Sequence, residues 1–181
     1  KIIIFINFSR FLFLIIFHQV MEKSDILTWS KEYFLNWSDF KAEANSSAFE
    51  DSSSYIKYHQ TWTVNSEISD GQIYFQIKDI QLSTQFLRHL SWVREKQFSS
   101  ELLKHEQGHF DLVELLRPII TKKIQNEFIN KKYSTYGKND EQRKQFARKD
   151  SSLMIAKELE TWSYDLSQKR KKYDEETEFG Q

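Results

Sequence analysis

The sequence has no cysteine, and this absence limits the chemistry that the chain can carry. Without thiols it can form no disulfide, and a metal site has to be built from histidine and carboxylate side chains. Glycine and proline are also scarce, with four residues and one residue respectively. Because these two residue types mark turns and disordered linkers, their scarcity argues against a disordered chain and favours long helices.

An excess of charge of either sign is also lacking, since 26 Lys and Arg residues balance 26 Asp and Glu residues. No basic stripe stands out, so we expect no nucleic-acid partner. Aromatic residues, in contrast, are plentiful, with 15 Phe, 8 Tyr and 5 Trp. A chain of 181 residues is long enough for one domain, and we expect its core to be rich in aromatic rings.

The first 20 residues differ sharply from the rest of the chain. An unbroken apolar run, Phe11–Phe17, follows Arg10 and resembles the hydrophobic part of a secretory signal peptide. No small-x-small cleavage motif comes after it, so a membrane anchor is a second interpretation, and a start at Met21 would make the protein cytosolic. We expect residues 1–20 to be a signal peptide-like or membrane-anchor segment and residues 21–181 to be a single domain. The protein is then expected to be exported to the periplasm, the cell envelope or the medium.

Two stretches, 55–65 and 72–82, are rich in β-branched and aromatic residues that partly alternate with polar ones. The turn signal Ser-Asp-Gly at 69–71 lies between them and predicts a β-hairpin. Residues 41–54 are polar and serine-rich, which is typical of a loop. Residues 83–93 are ambiguous and are predicted to form either a third short strand or a turn of helix.

Two helices are predicted in the second half of the chain. The first begins near Ser99 or Ser100, either of which can cap it, and a kink or break is expected at Pro118. It resumes beyond the proline and runs on to a loop at 133–140. The second helix covers about residues 141–178, because nothing in this stretch breaks a helix and its apolar residues have roughly helical spacing. Asn139 or Asp140 is its predicted N-cap.

These elements predict an α+β fold. A small antiparallel sheet or hairpin would pack on the first helix and on the long C-terminal helix. A basic run at 169–172, Lys-Arg-Lys-Lys, is expected to be a solvated face of that second helix.

Residues 105–109 read His-Glu-Gln-Gly-His, which is the H-E-x-x-H pattern. On a helix, His105 and His109 lie about 40° apart around the axis and about 6 Å apart along it. Both imidazoles can then reach one tetrahedral Zn²⁺, and Glu106 can face a water as general base. The alternative is a pair of ordinary helix histidines. Apolar residues on both sides of the pair favour the metal site, because such a helix must be half-buried.

A zinc enzyme of this type needs a third protein ligand. Asp111 and Glu114 lie about 240° and 180° around the helix from His105, so both point away from the metal. The long C-terminal helix is the natural donor, and its candidate carboxylates are Glu160, Asp174, Glu175 and Glu178. His59 and His89 are also possible ligands, although a structural role is the commoner one for such lone histidines.

Three blocks of the sequence carry a resemblance to a known family. They are LTWSKEYFLNWSDFKAE at Leu27–Glu43, SWVREKQFSSELLKHEQGHFDLVEL at Ser91–Leu115, and YDEET at Tyr173–Thr177. With these blocks the chain resembles the DUF922 family of predicted secreted zinc-dependent proteases over most of residues 27–181. The resemblance implies a metallopeptidase-like fold, a peptide or protein substrate, and a metal held by the two histidines of the second block.

The last block departs from the family pattern Tyr-Asp-x-x-Thr-x-His-Gly, because Phe179 stands at the histidine position, before Gly180. If that histidine is the family's third ligand, Asp174 or Glu178 has to replace it here. We take Asp174 as the third metal ligand, together with His105 and His109.

The predicted function is zinc-dependent hydrolysis of peptide bonds, with Glu106 as the catalytic residue. The first alternative is a catalytically inactive envelope or binding protein that keeps the fold. The second is a membrane-tethered helical interaction protein.

Overall fold

The computed structural model of the protein describes residues 25–180. The signal peptide-like segment predicted at 1–20 lies outside these residues. Two long helices and an antiparallel sheet make up most of the described chain, which confirms the predicted α+β class. Among the described residues, no helix combines the length and the apolar character needed to cross a bilayer.

The elements follow one another with the strands mostly first and the helices last. The strands are β1 Ile26–Thr28, β2 Ser52–Ser53, β3 Ile56–Ser69, β4 Gln72–Leu87, β5 Trp92–Val93 and β6 Tyr133–Ser134. The α-helices are α1 Ser100–Phe128 and α2 Asp140–Glu176. Short 3₁₀ turns lie at Trp37–Asp39, Arg88–Leu90, Glu95–Gln97 and Glu178–Gly180.

The hairpin predicted from the sequence is the centre of the main sheet. β3 and β4 pair in antiparallel register from Ile56 opposite Phe86 to Ser69 opposite Gln72, so both strands are longer than the sequence indicated. Asp70 and Gly71 form the turn between them, both with positive φ, as a two-residue hairpin turn requires. On its other edge β4 pairs with β1 and β6.

Helix α1 packs on the sheet through two apolar clusters. The larger cluster contains Phe75, Ile77, Ile80, Leu82, Ile120, Ile124, Phe128, Ala147 and Ile155. The smaller one contains Leu35, Phe40, Phe86 and Phe110. Phe110 is fully buried and directly follows His109, so the packing of this ring fixes the rotation of α1 at the point where its histidines occur.

Pro118 does not break α1, so of the kink or break expected there, the break was wrong. The helix runs without interruption from Ser100 to Phe128. Proline removes its own N–H from the hydrogen-bond ladder and crowds the carbonyl four residues earlier. The buried side chains of Ile120 and Ile124 nevertheless hold the following turn against the sheet. Helix α1 ends before the predicted residue 132, and part of the expected loop becomes strand β6.

The two helix starts agree with the capping signals in the sequence. The Ser99 side chain accepts a hydrogen bond from the Leu102 N–H, at 3.0 Å, and the Asn139 side chain accepts one from the Gln142 N–H, at 2.9 Å. The polar segment 41–54 was predicted to be a loop throughout, and this was wrong at its end. Ser52–Ser53 pairs with β5 in a second, two-stranded sheet beside α1.

Candidate metal centre

Three side chains from two helices meet at one point beside α1. His105 and His109, both nearly fully buried, place their Nε2 atoms 3.1 Å apart. From α2, Asp174 places Oδ1 at 2.8 Å from His109 Nε2 and at 3.3 Å from His105 Nε2. The structure thus brings together the three residues that the sequence indicated as metal ligands. Among residues 25–180, they form the one group of three metal-ligating side chains this close together.

The spacing of these three atoms suits a small divalent ion. On a tetrahedral zinc ion with bonds of about 2.0–2.1 Å, neighbouring ligand atoms lie about 3.3 Å apart. The observed separations of 2.8, 3.1 and 3.3 Å are close to that value. Two imidazoles and one carboxylate are also a common catalytic zinc set. The same donors bind cobalt, nickel and copper ions, so the geometry selects a class of metal and not zinc alone.

A contact from the C-terminal end of α2 sets the tautomer of His105. The Thr177 hydroxyl lies 2.8 Å from His105 Nδ1 and donates its own proton to the Tyr173 carbonyl, at 2.7 Å. Because that proton is already used, the hydroxyl accepts a hydrogen bond from Nδ1–H. Nε2 of His105 then carries the lone pair that faces His109 and Asp174. A ligating histidine is oriented by such a partner in most metal sites.

Burial keeps both imidazoles in the neutral form that a metal requires. It lowers the pKa of His109 to about 3, with a smaller effect from the positive charge of Arg170. It also lowers the pKa of His105, against the opposing charge of Glu106. Nδ1 of His109 is buried and has no hydrogen-bond partner among the described residues.

The ring of Tyr173 packs against the rings of both histidines. It stacks on His105 at a centroid distance of 5.1 Å and meets His109 edge-on at 5.0 Å. Its hydroxyl donates to the His105 carbonyl at 3.3 Å. This close approach requires Gly108, since a Cβ at that position would lie 1.8 Å from the Tyr173 oxygen. The glycine in the His-Glu-Gln-Gly-His segment is therefore a packing requirement.

The residues after α2 also pack against the candidate metal centre. A Cβ on Gly180 would lie 2.8 Å from Cβ of His105, so the turn Glu178–Gly180 fits closely on α1. Phe179, which stands where the family pattern has a histidine, lines the cleft beside the centre. Asp174 lies one helical turn before Thr177, and its carboxylate is the third side chain of the group that could hold a metal ion.

Glu106 is almost fully buried and is held by two serines. The Ser52 hydroxyl donates to Oε1 at 2.5 Å, and the Ser54 hydroxyl donates to Oε2. Burial raises the pKa of Glu106, and the two serine hydrogen bonds oppose that rise. Sequence reasoning missed both serines because segment 41–54 has no periodicity, and a serine in a polar segment gives no signal of its own.

A cleft of about 800 Å³ opens in front of these residues. Its lining includes His105, Glu106, His109, Asp174, Ser52, Ser54, Trp92, Leu102, Leu166, Arg170 and Phe179. The expectation that the run 169–172 is a solvated face is wrong for Arg170. This side chain is partly buried, lines the cleft, and donates to the Ser54 carbonyl at 3.1 Å, whereas its three lysine neighbours are exposed.

The other candidate ligands do not join the group. His59 and His89 are exposed on the sheet and the turn that follows it, and Glu160, Glu175 and Glu178 are exposed on or after α2. Asp111 and Glu114 point away from the histidines, as their positions on the helix predicted. Asp111 accepts a hydrogen bond from the indole of Trp29 at 2.8 Å, and Glu114 pairs with Arg117 at 2.8 Å.

No family model, curated protein or solved structure matches the chain. The resemblance to the DUF922 family therefore stays a prediction from the sequence blocks, and the function has to be argued from the site itself.

Proposed function

We propose that the protein is an exported zinc-dependent metallopeptidase that hydrolyses peptide bonds. The observation that carries the proposal is the meeting of His105 Nε2, His109 Nε2 and Asp174 Oδ1 within 3.3 Å of one another, beside a glutamate in an open cleft. Three ligands leave a fourth position free for a water or a substrate oxygen, which is the pattern of catalytic rather than structural zinc.

The bound ion would supply Lewis acidity toward a water molecule and toward the carbonyl of the peptide. The chain's own residues have three further tasks. His105, His109 and Asp174 hold the ion, and Thr177 keeps His105 in the tautomer that exposes its Nε2 lone pair. Asp174 contributes one negative charge, which would offset part of the charge of a bound divalent ion.

Glu106 is the proposed general base. A carboxylate offers about four lone-pair sites, and the serines at 52 and 54 occupy one on each oxygen. The remaining sites can accept a proton from the attacking water. The raised pKa of the buried carboxyl makes Glu106 a stronger base than an exposed glutamate. The same group then returns the proton to the leaving amine.

A non-catalytic binding protein with the same fold is the second candidate. The observation that favours it is the engagement of both Glu106 oxygens by serine hydroxyls, an arrangement that also suits a purely structural carboxylate. In that case the protein would bind metal and ligand without turnover.

Elemental analysis of the purified protein tests the metal site. We expect about one zinc ion per chain and its loss in the double variant His105→Ala/His109→Ala. A protein that binds no divalent ion, even after zinc is added, would contradict the proposal.

Turnover on a mixed peptide library then separates the two candidates. Glu106→Gln should keep the zinc and abolish cleavage, because glutamine cannot accept the proton. A zinc-loaded wild-type protein that cleaves no peptide would establish the binding protein instead.

Export is the remaining part of the proposal and is supported by the apolar run near the N-terminus, outside the described residues. Fractionation of cells that express the full chain tests it. Recovery of the protein from the cytosol alone would contradict export.

A further inference from the structure

Arg170 has an unusual position for an arginine. It lies four residues before Asp174 on α2, which places it on the same face and about 6 Å further along the axis. It lines the same cleft as the candidate metal centre, and it is partly buried there. A long cationic side chain that is drawn into a cleft loses hydration, and this loss has to be offset by a partner.

Part of that compensation comes from the negative charges of Glu106 and Asp174, which act on the guanidinium without a direct ion pair. A guanidinium has five N–H donors, and within residues 25–180 the hydrogen bond of Arg170 goes to the Ser54 carbonyl, at 3.1 Å. No carboxylate in that range lies within ion-pairing distance of it. Its remaining donors are free to bind an anionic group.

The carboxylates of the cleft are engaged with other partners. Asp174 contacts the histidines, Glu106 accepts from the serines, and Asp51 pairs with Arg94 at 3.1 Å. Glu50 also lines the cleft, so the cleft has no general excess of positive charge. Recognition of an anion there would depend on the position of Arg170 and on the fork of donors that it presents.

We infer that Arg170 is the specificity-determining residue of the cleft and binds a carboxylate of the substrate. This inference rests on the proposed function and names its substrate class: peptides that carry a carboxylate next to a large apolar residue. The apolar part is argued from the cleft walls, where the rings of Trp92 and Phe179 and the side chain of Leu102 lie on the lining. A carboxylate can come from the C-terminus of a peptide or from an aspartate or glutamate side chain.

Binding to the zinc-loaded Glu106→Gln protein tests the inference without turnover. Three peptides serve as probes: acetyl-Ala-Ala-Phe with a free carboxylate, the same peptide as its amide, and acetyl-Glu-Ala-Phe amide. We expect at least one acidic peptide to bind about tenfold more tightly than the neutral amide. Preference for the free acid would assign a C-terminal carboxylate, and preference for the glutamate peptide would assign an acidic side chain.

Arg170→Gln should remove the preference, and Arg170→Lys should restore only part of it, because lysine keeps the charge and loses the fork. Lys172→Gln is the matched control, since Lys172 belongs to the same basic run but lies outside the cleft lining, is exposed and lies 3.5 Å from Glu176. We expect that control to stay within about twofold of the parent, as an exposed charge contributes little. Circular dichroism and the thermal midpoint establish that each variant is folded.

Equal binding of the three peptides, binding of none, or a preference that survives Arg170→Gln would overturn the inference. The proposed function is judged separately from the zinc content. A zinc-loaded protein without carboxylate preference retains the metal site and loses this inference. A metal-free protein whose carboxylate preference depends on Arg170 would support this inference and contradict the metal site.

Discussion

The hydroxyl of Tyr173 lies where the side chain of position 108 would begin. A Cβ on Gly108 would be 1.8 Å from that oxygen and 2.5 Å from the ring carbon that bears it. The two helices therefore touch through a glycine at the candidate metal centre, and the contact joins the histidine-bearing turn of α1 to the aspartate-bearing turn of α2.

Gly108→Ala should destabilise the protein, although the same change stabilises an ordinary helix interior by about 1 kcal/mol. The added methyl must push Tyr173 and the end of α2 away, and Asp174 moves with them. We expect a lower thermal midpoint and weaker zinc binding, measured by calorimetry and by competition with a chelator.

Lys104→Ala is the control for that change, because Lys104 is exposed on the same helix. The double variant Gly108→Ala/Tyr173→Ala removes the clash and should bind zinc more tightly than Gly108→Ala alone. A Gly108→Ala protein as stable as the wild type, with unchanged zinc affinity, would contradict the geometry described for this contact.

Thr177→Val should weaken zinc binding by about 10- to 100-fold, the usual effect of losing a partner that orients a histidine ligand. Valine has the shape of threonine but cannot accept the hydrogen bond from His105 Nδ1. Thr177→Ser keeps the hydroxyl and should stay near the wild-type affinity. Titration against a fluorescent zinc chelator measures all three proteins, and equal affinities for Val and Ser would refute the assigned role.

Asp174→Ala should reduce zinc affinity strongly, whereas Glu175→Ala and Glu178→Ala should leave it nearly unchanged. The reason is position, because the carboxylate of Asp174 lies 2.8 Å from His109 Nε2 while the other two side chains are exposed. Zinc retained after Asp174→Ala and lost after Glu178→Ala would show that the third ligand had been wrongly assigned.

Ile155→Ala should lower the free energy of unfolding by about 2–5 kcal/mol, as large-to-small changes in a packed core do. Ile155 is fully buried between α2 and the sheet, and an empty volume would remain there. Leu153→Ala is the matched control, since Leu153 is 62% exposed on the same helix, and it should change stability by less than about 0.5 kcal/mol. Urea unfolding followed by tryptophan fluorescence measures both, and similar losses would contradict the packing.

The parts of the fold that the sequence predicted are those with local signals. The Asp70-Gly71 turn, the serine cap at 99 and the asparagine cap at 139 each depend on a few neighbouring residues, and all three are present. The break expected at Pro118 is absent because the tendency of proline to interrupt a helix was outweighed by tertiary packing of the next turn. Phe110 and the buried residues around it determine how α1 packs on the sheet. Such long-range contacts cannot be recognised from a short stretch of sequence.

The same difference between local signals and long-range contacts decides which residues of the candidate site could be predicted. The histidine pair was recognisable from its spacing. Excluding carboxylates on the wrong face of α1 left four candidates in the C-terminal part of the chain, and Asp174 was chosen after the resemblance pointed to a replaced ligand at Phe179. Ser52 and Ser54 approach Glu106 from a strand more than 50 residues earlier in the chain, and nothing in their composition points there. Arg170 was hidden in a basic run, although its place four residues before a predicted ligand was a usable signal.

The buried residues of α2 are Ala147, Ser151 and Ile155, all in its first half. Beyond them, Leu159 and Trp162 pack partly buried against the larger cluster. Further along the helix, the contacts with the site come from Arg170, Tyr173, Asp174 and Thr177. An ion held between His109 and Asp174 would fasten the last turns of α2 to α1. Metal loading should then slow amide hydrogen exchange over residues 160–176 far more than over the first half of α2. The protection of these amides would report how much of the protein has metal bound.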